Sequence, residues 1–308
     1  MCPYINIMVY HEIKFRGKRR YNYLVHNVRD HNKWKKIRKY TGEGDISRKE
    51  LSEQIEVFKR SLKKAKYLSM EQIAEVERIR NIFDSYLKKA GSAGVEKFNE
   101  WFFTELTYNS NAIEGTSLNL RETSLIINED IVPRNASLRE VNEARNHKEA
   151  LQFLLHYKGD VNEGLILKVH SIILKSIDNK NAGAYRNIPL FIVGENVRFP
   201  PYKSVPELMR RLILWYKQNK NIIHPFELAT IFSMRLVSIH PFVDGNGRVS
   251  RLLMNYILKK NGYPEINIYV KHRNNYLKAV RMANDESYTL IIDFLFRTLK
   301  KNYSFLEE

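Results

Sequence analysis

Between Pro225 and Asn261 the chain has to join two buried helices across one short turn, and few folds satisfy that. Leu228, Ile231, Phe232, Leu236 and Ile239 recur at helical spacing, as do Val249, Leu252, Leu253, Tyr256 and Ile257 further on. The turn is HPFVDGNGRVSR, His240 to Arg251, and it therefore rests on a rigid floor. Gly245 and Gly247 fall where the second helix begins and let N–H groups face a ligand without a clashing Cβ. A helix N-terminus of this kind attracts phosphate. Arg248 and Arg251, three apart and near one face, add donors suited to phosphate oxygens. Asp244 offers a hard oxygen for Mg²⁺, which commonly bridges phosphates to a carboxylate. His240 can take a proton near neutral pH. These are the parts needed to attack a nucleotide phosphate with an activated hydroxyl.

The surrounding pattern is mainly α. Only the start reads as strands: IKF before Gly17, Tyr21 to Val28, and KWKKIRKY after an Asp30-His31-Asn32 turn, ending at Thr41-Gly42-Glu43-Gly44. Helical periodicity follows, with Asp45 or Ser47 as N-cap and a second helix from Ser69, whose Gln72 has capping-box spacing. Gly91-Ser92-Ala93-Gly94 interrupts it. Helices are expected over Ser137 to Tyr157, Asn162 to Ile177, Val205 to Lys220, Pro225 to Ile239 and Gly247 to Asn261. A β-hairpin is expected between Pro189 and Pro201. The resulting organisation is a small basic antiparallel sheet over 1–45, linking helices over 46–94 and a main helical domain over 95–308.

The formal charge of +17 in 308 residues favours an anionic partner: a nucleotide, nucleic acid or an acidic protein surface. Much of the excess lies in residues 1–45, where eleven Lys and Arg face four acidic residues and are interleaved with Tyr21, Tyr23, Trp34 and Tyr40. That stretch fits either a nucleic-acid or acidic-protein surface or the solvated edge of a sheet. The single cysteine excludes a disulfide framework and suits a reducing compartment, so a cytoplasmic protein without a membrane span is expected. HExxH and GxxxxGK[ST] patterns are both absent, which argues against a zincin or a P-loop enzyme.

His240-Pro241-Phe242, Asp244-Gly245-Asn246-Gly247-Arg248 and Arg251 match in full the Fic (Fido) motif HxFx(D/E)GNGRxxR. Gly183-Ala184-Tyr185-Arg186, the expected hairpin and Gly262-Tyr263-Pro264 follow the family order, and the resemblance runs from Phe98 to Leu299. It implies a helical Fic fold and an adenylyltransferase that moves AMP from ATP, with Mg²⁺, onto a Ser, Thr or Tyr hydroxyl of a protein. His240 would be the base and Phe242 an anchor, while Asp244 would hold Mg²⁺. Asn246, with the Gly245 and Gly247 backbone, would bind the α-phosphate, Arg248 the β-phosphate and Arg251 the γ-phosphate. The hairpin, with Phe191, Ile192, Val193, Gly194 and Val197, would hold the target by strand pairing. Asn284 resembles an adenine-contacting asparagine of an animal member, and Tyr276 and Asn255 would border the base.

Ser110-Asn111-Ala112-Ile113-Glu114-Gly115 resembles the family's inhibitory motif, (S/T)xxxE(G/N), placed upstream of the core. It implies a buried bidentate pair between Glu114 and Arg251 that denies this arginine to the γ-phosphate. Two other functions stay open: removal of AMP from a modified protein by a water held on Glu114, and a nucleic-acid module built on residues 1–45. So does a homo-oligomer.

Overall fold

The computed structural model describes residues 8–30, 33–190, 199–283 and 287–306. Two compact units divide the chain, one drawing on residues up to 66 and on 218–224, the other on 67–217 and 225–308. The expected boundaries at 45 and 94 rest on the change from strand to helix pattern and on the Gly91-Ser92-Ala93-Gly94 break.

The smaller unit carries three antiparallel strands in the order β1 (Val9–Arg16), β2 (Arg19–Asp30) and β3 (Lys33–Glu43). The strand pattern is thus as the sequence indicates, with longer strands. Leu24 and Asn22 on β2 are buried, and Asn22 Nδ2 donates to the carbonyls of Gly42 and Gly44, fixing the end of β3. Helix α1 (Arg48–Ser61) follows. Its cap is Ser47, whose Oγ accepts from Glu50 N, while Asp45 pairs with Arg20. The chain at Lys64 also pairs in parallel with Ile223 through two backbone bonds of 2.8 and 2.9 Å.

The larger unit is helical. Helix α2 (Met70–Glu114) begins at Ser69 with a reciprocal capping box to Gln72 and ends at Gly115, which has φ of 109°. Gly91, at φ 65°, breaks it into two helical stretches, while Gly94 stays helical. Phe83, Phe98, Phe102 and Tyr303 pack ring against ring at 5.0 to 5.6 Å, which ties the first stretch into the larger unit. Helices α3 (Leu120–Asn128), α4 (Leu138–His156), α5 (Glu163–Ile173) and α6 (Val205–Asn219) follow. Then come α7 (Pro225–Ile239), α8 (Asn246–Lys260), α9 (Arg273–Ala283) and α10 (Thr289–Asn302).

Helices α7 and α8 form the middle of the core. Phe226, Leu228, Phe232 and Leu236 on α7 and Val249, Leu252, Leu253 and Ile257 on α8 are almost fully buried. Glu227, also on α7, is only 1% exposed, and its carboxylate accepts the N–H groups of Tyr67 and Leu68. Helix α5 stops at Ile173, four residues short of the expected end. Asn146 Nδ2 on α4 takes the carbonyls of Ile173 and Lys175, and Ser176 turns to φ 58°. The expected hairpin residues Phe191, Ile192, Val193, Gly194 and Val197, and Asn284, lie outside the described residues.

Glu140, in the first turn of α4, ties the turn after Gly115 to this scaffold. Its carboxylate accepts from Ser117 N, Ser117 Oγ, Thr116 Oγ1, Ser137 N and Ser137 Oγ. Hydrogen bonds from Ser117 and then Ser137 lower its pKa from 4.5 to about 2. Its stabilising contribution is therefore complete above about pH 4.5 and is lost as pH falls toward 2. Glu140→Gln should lower unfolding stability by about 1 kcal/mol at neutral pH. In urea titrations the gap from the wild type should narrow below about pH 4.5 and close toward pH 2.

Candidate active site

The turn predicted from the sequence is present, and its geometry begins with an unusual helix end. Helix α7 stops at Ile239, and His240 N still donates to Leu236 O at 3.1 Å while the His240 backbone swings to φ 50°. A glycine usually occupies such a position, because a Cβ is strained there. Pro241 blocks further helix, and Arg186 clamps the bend. Its Nε donates to His240 O at 2.8 Å and its terminal nitrogens to the carbonyls of Ile188 and Pro200, while its own N–H donates to Pro241 O. His240 Nδ1 lies 3.3 Å from Val237 O. A carbonyl only accepts, so Nδ1 carries the hydrogen and Nε2 keeps the lone pair of a base. Phe199 stacks on the imidazole at 3.9 Å.

Phe242 is fully buried and stacks on His170 at 3.6 Å and 8°. That imidazole accepts from Gly183 N at Nδ1 and donates from Nε2 to Asp244 O, so its tautomer is fixed. Asn246 holds the turn from within. Its Oδ1 accepts from Phe242 N at 3.0 Å and its Nδ2 donates to Phe242 O at 2.8 Å. Both side-chain groups of Asn246 are thus engaged with the loop, and its main-chain N–H is what lies at the start of α8. Gly245 precedes it at φ 80°.

Around this turn the charged groups sort into two sets. In the first, Arg139 bridges Asp244 Oδ2 at 2.6 Å and Glu143 Oε1 at 3.1 Å, and Arg248 bridges Asp244 Oδ1 at 3.1 Å and Glu143 Oε1 at 3.2 Å. The four side chains close a ring of alternating charge. Burial works to raise the Asp244 carboxyl, but Arg248, the Gly245 N–H and Arg139 hold it below the ordinary range.

The second set centres on Arg251, whose side chain is 5% exposed. Its Nε donates to Ser110 Oγ at 3.1 Å, and one terminal nitrogen donates to Ser110 O and Glu114 Oε1, each at 2.8 Å. The contact with Glu114 is single rather than bidentate, and the guanidinium also engages Ser110 and the Tyr276 side chain. Glu114 is also 41% exposed, where a buried pair was expected. Burial acts against the Arg251 charge, yet the Glu114 carboxylate leaves its pKa raised. A Cβ at residue 247 would overlap Glu114 Oε1, so the carboxylate sits directly against Gly247, on the N-terminal turn of α8. Arg273 Nε, donating to Ile113 O at 2.7 Å, secures the same end of α2.

Tyr276 is buried beside Arg251. Asn255 is committed elsewhere, its amide exchanging two bonds with the backbone of Ile266. The sequence reading assigned no role to Arg139, Glu143 or His170, and took Phe199 only as the end of the expected hairpin. The i,i+4 spacing of Arg139 and Glu143 and a lone histidine in the apolar α5 were the only signals available for the first three.

Three imidazoles in this region are held neutral. Burial is the leading cause at each, lowering His240 and His170 from 6.5 to about 4 and His147 to about 3. Each takes up a proton more readily unfolded than folded. Their contribution to stability is therefore complete above about pH 6.5 and declines as pH falls through about 4. In NMR titrations His240 should stay neutral, with its hydrogen on Nδ1, from pH 8 to about pH 5. A midpoint near 6.5 would contradict a ring shielded by Phe199 and the clamped bend.

Residues 160–258 match the Fic/DOC family. A protein adenylyltransferase Fic of Nematostella vectensis is 30% identical over 247 residues, which are 79% of this chain and 57% of that protein. The protein of that name from Drosophila yakuba is 32% identical over 193 residues, 61% of this chain and 38% of that one. The chain thus spans well under two thirds of the length of these relatives. Among solved structures, a Fic domain containing signaling protein from Bacteroides thetaiotaomicron has a TM-score of 0.67 at 27% identity, covering 74% of this chain and 95% of that chain. Fic-1 from C. elegans has a TM-score of 0.69 at 25% identity, covering 84% and 75%. With the full motif seated on the turn between α7 and α8, the chain carries a Fic domain of the Fic/DOC family.

Proposed function

We propose that this chain transfers AMP from Mg-ATP to a Ser, Thr or Tyr hydroxyl of a protein, itself included, and that Glu114 restrains the reaction. One observation carries the reading. The helix N-terminus suited to phosphate already has a carboxylate against it, with Arg251 turned onto that carboxylate. The relatives named protein adenylyltransferase support AMP as the transferred group. Among the described residues no helix is long and apolar enough to cross a membrane. The lone cysteine suits a reducing compartment, and we assign the reaction to the cytoplasm.

In this reading the triphosphate sets on the first turn of α8, with the main-chain N–H groups of Asn246 and Gly247 toward the α-phosphate and Arg248 and Arg251 toward the outer phosphates. His240 Nε2 takes the proton of the incoming hydroxyl. The hydroxyl oxygen bonds to the α-phosphorus as the bond from that phosphorus to the bridging oxygen breaks, and pyrophosphate leaves. The strained, clamped backbone at His240 keeps the ring in place for that transfer.

Asp244 fits a magnesium ligand. It is ionised, 39% exposed, and its oxygens face cationic donors in the ring with Arg139 and Arg248. Among the described residues no group of three or more His, Cys, Asp or Glu forms a metal cage, so the ion would complete its shell with phosphate oxygens and water. Bound there, Mg²⁺ would neutralise charge on the phosphates. Arg251 cannot serve both Glu114 and a phosphate with the same donor, and this supports restraint by Glu114.

With α-labelled ATP, Glu114→Gly should raise incorporation into the protein by about tenfold or more, the worth of a charged hydrogen bond. His240→Ala, added to that variant, should cut incorporation by roughly 10²–10⁴-fold. Unchanged labelling on Glu114→Gly would remove the restraint from the account, and a loss under about tenfold would remove His240 as the base. Release of free AMP from a pre-modified protein, with no incorporation by either form, would assign the reverse, hydrolytic reaction.

A further inference from the structure

The chemistry above leaves the three-stranded sheet without a role, and the sheet lies outside the matched residues 160–258. Strand register sorts its side chains by face. Tyr23 pairs with Glu12 and Tyr40, Tyr21 with Lys14, and Arg19 with Arg16, so these residues share one face. Lys36, Arg38 and Trp34 continue that face along β3, opposite Asn27, Val25 and Arg29. Leu24 and Asn22, both buried, point to the other face.

Aromatic rings and cations alternate across the first face. Tyr40 contacts Tyr23 at 5.5 Å and Tyr21 at 6.2 Å, and the Lys14 ammonium lies 5.7 Å over the Tyr23 ring. Trp34 is 71% exposed and Tyr40 51% exposed. Lys14, Arg16 and Lys36 are exposed around them. The Arg38–Glu12 ion pair, 2.8 Å long, crosses the central strand from one edge strand to the other and roofs the buried Val25. A solvated edge explains the lysines but not an exposed indole and phenol among them.

We infer that this sheet face binds single-stranded nucleic acid, with Trp34 and Tyr40 stacking on bases and Lys14, Arg16 and Lys36 meeting phosphates. Charge complementarity selects a polyanion, since residues 1–45 hold eleven Lys and Arg against four acidic residues. The exposed rings select unpaired bases, whose π-faces a duplex keeps stacked inside. This surface is independent of AMP transfer, and the two readings can fail separately.

The test is fluorescence anisotropy of the full chain with labelled oligo(dT) and oligo(U) of about 20 nucleotides. Binding of either should weaken as salt rises from about 50 to about 200 mM, with a log–log slope near −0.7 for each phosphate contacted. Trp34→Ala and Tyr40→Ala should each weaken binding by about tenfold, Trp34→Phe much less, and Lys14→Ala with Lys36→Ala should flatten the salt slope. All these side chains are exposed or at the sheet surface, and circular dichroism melts should match the wild type. His240→Ala should bind as the wild type does, placing the contact away from the nucleotide site. No binding at the lowest salt overturns the inference. So do alanine variants of the rings that bind normally, a duplex of the same length bound as tightly, or attachment to phosphatidylserine vesicles without oligonucleotide binding.

Discussion

A buried guanidinium governs the site. Arg251 is almost wholly removed from water, and a charge in that position requires partners on every side. The last turn of α2 supplies most of them through the Ser110 hydroxyl, the Ser110 carbonyl and the Glu114 carboxylate, and Tyr276 on α9 adds another. The position of this helix end thus follows from an electrostatic demand made 137 residues further along the chain. The carbonyl end of α2 favours cations, and both Arg251 and Arg273 satisfy it. A carboxylate is out of place at that helix end and well placed at the start of α8. Glu114 resolves the conflict by leaning from one helix onto the other.

The turn after α7 depends on a different kind of constraint. His240 occupies a left-handed backbone position where glycine is the usual choice, and Arg186 binds the carbonyls of both His240 and Pro241. Backbone strain and a guanidinium clamp together fix one imidazole. Beneath it, the stacked pair of Phe242 and His170 and the amide of Asn246 convert a glycine-rich loop into part of the core. The absence of a Cβ makes room for His170 and Ile173 at Gly245 and for the Glu114 carboxylate at Gly247.

Much of this was legible in the sequence for identifiable reasons. The spacing of apolar residues in α7 and α8 placed both helices within about a residue, since each buries a continuous stripe. Ser69 and Gln72 announced a helix start through local hydrogen bonding alone. The early end of α5 was not legible, because Asn146 on another helix takes its last carbonyls. The same limit hid the role of Asn246. A motif indicates that an asparagine stands there, but only packing reveals that its amide braces Phe242. The single contact between Glu114 and Arg251 depended likewise on how Ser110 and Tyr276 share the guanidinium. Arg139 and Glu143 were ordinary helix charges until the fold brought Asp244 between them.

That ring of four charges makes occupancy of the carboxylate a matter of ion exchange. Arg139, 60% exposed at the rim, can leave Asp244 while keeping its bond to Glu143, whereas Arg248, 3% exposed, cannot withdraw to solvent. A cation arriving at Asp244 would thus displace a tethered one, and with Arg139 held on Glu143 the site becomes more positive than before. That surplus is one an anionic phosphate offsets, so the same turn favours a cation and a phosphate together over either alone.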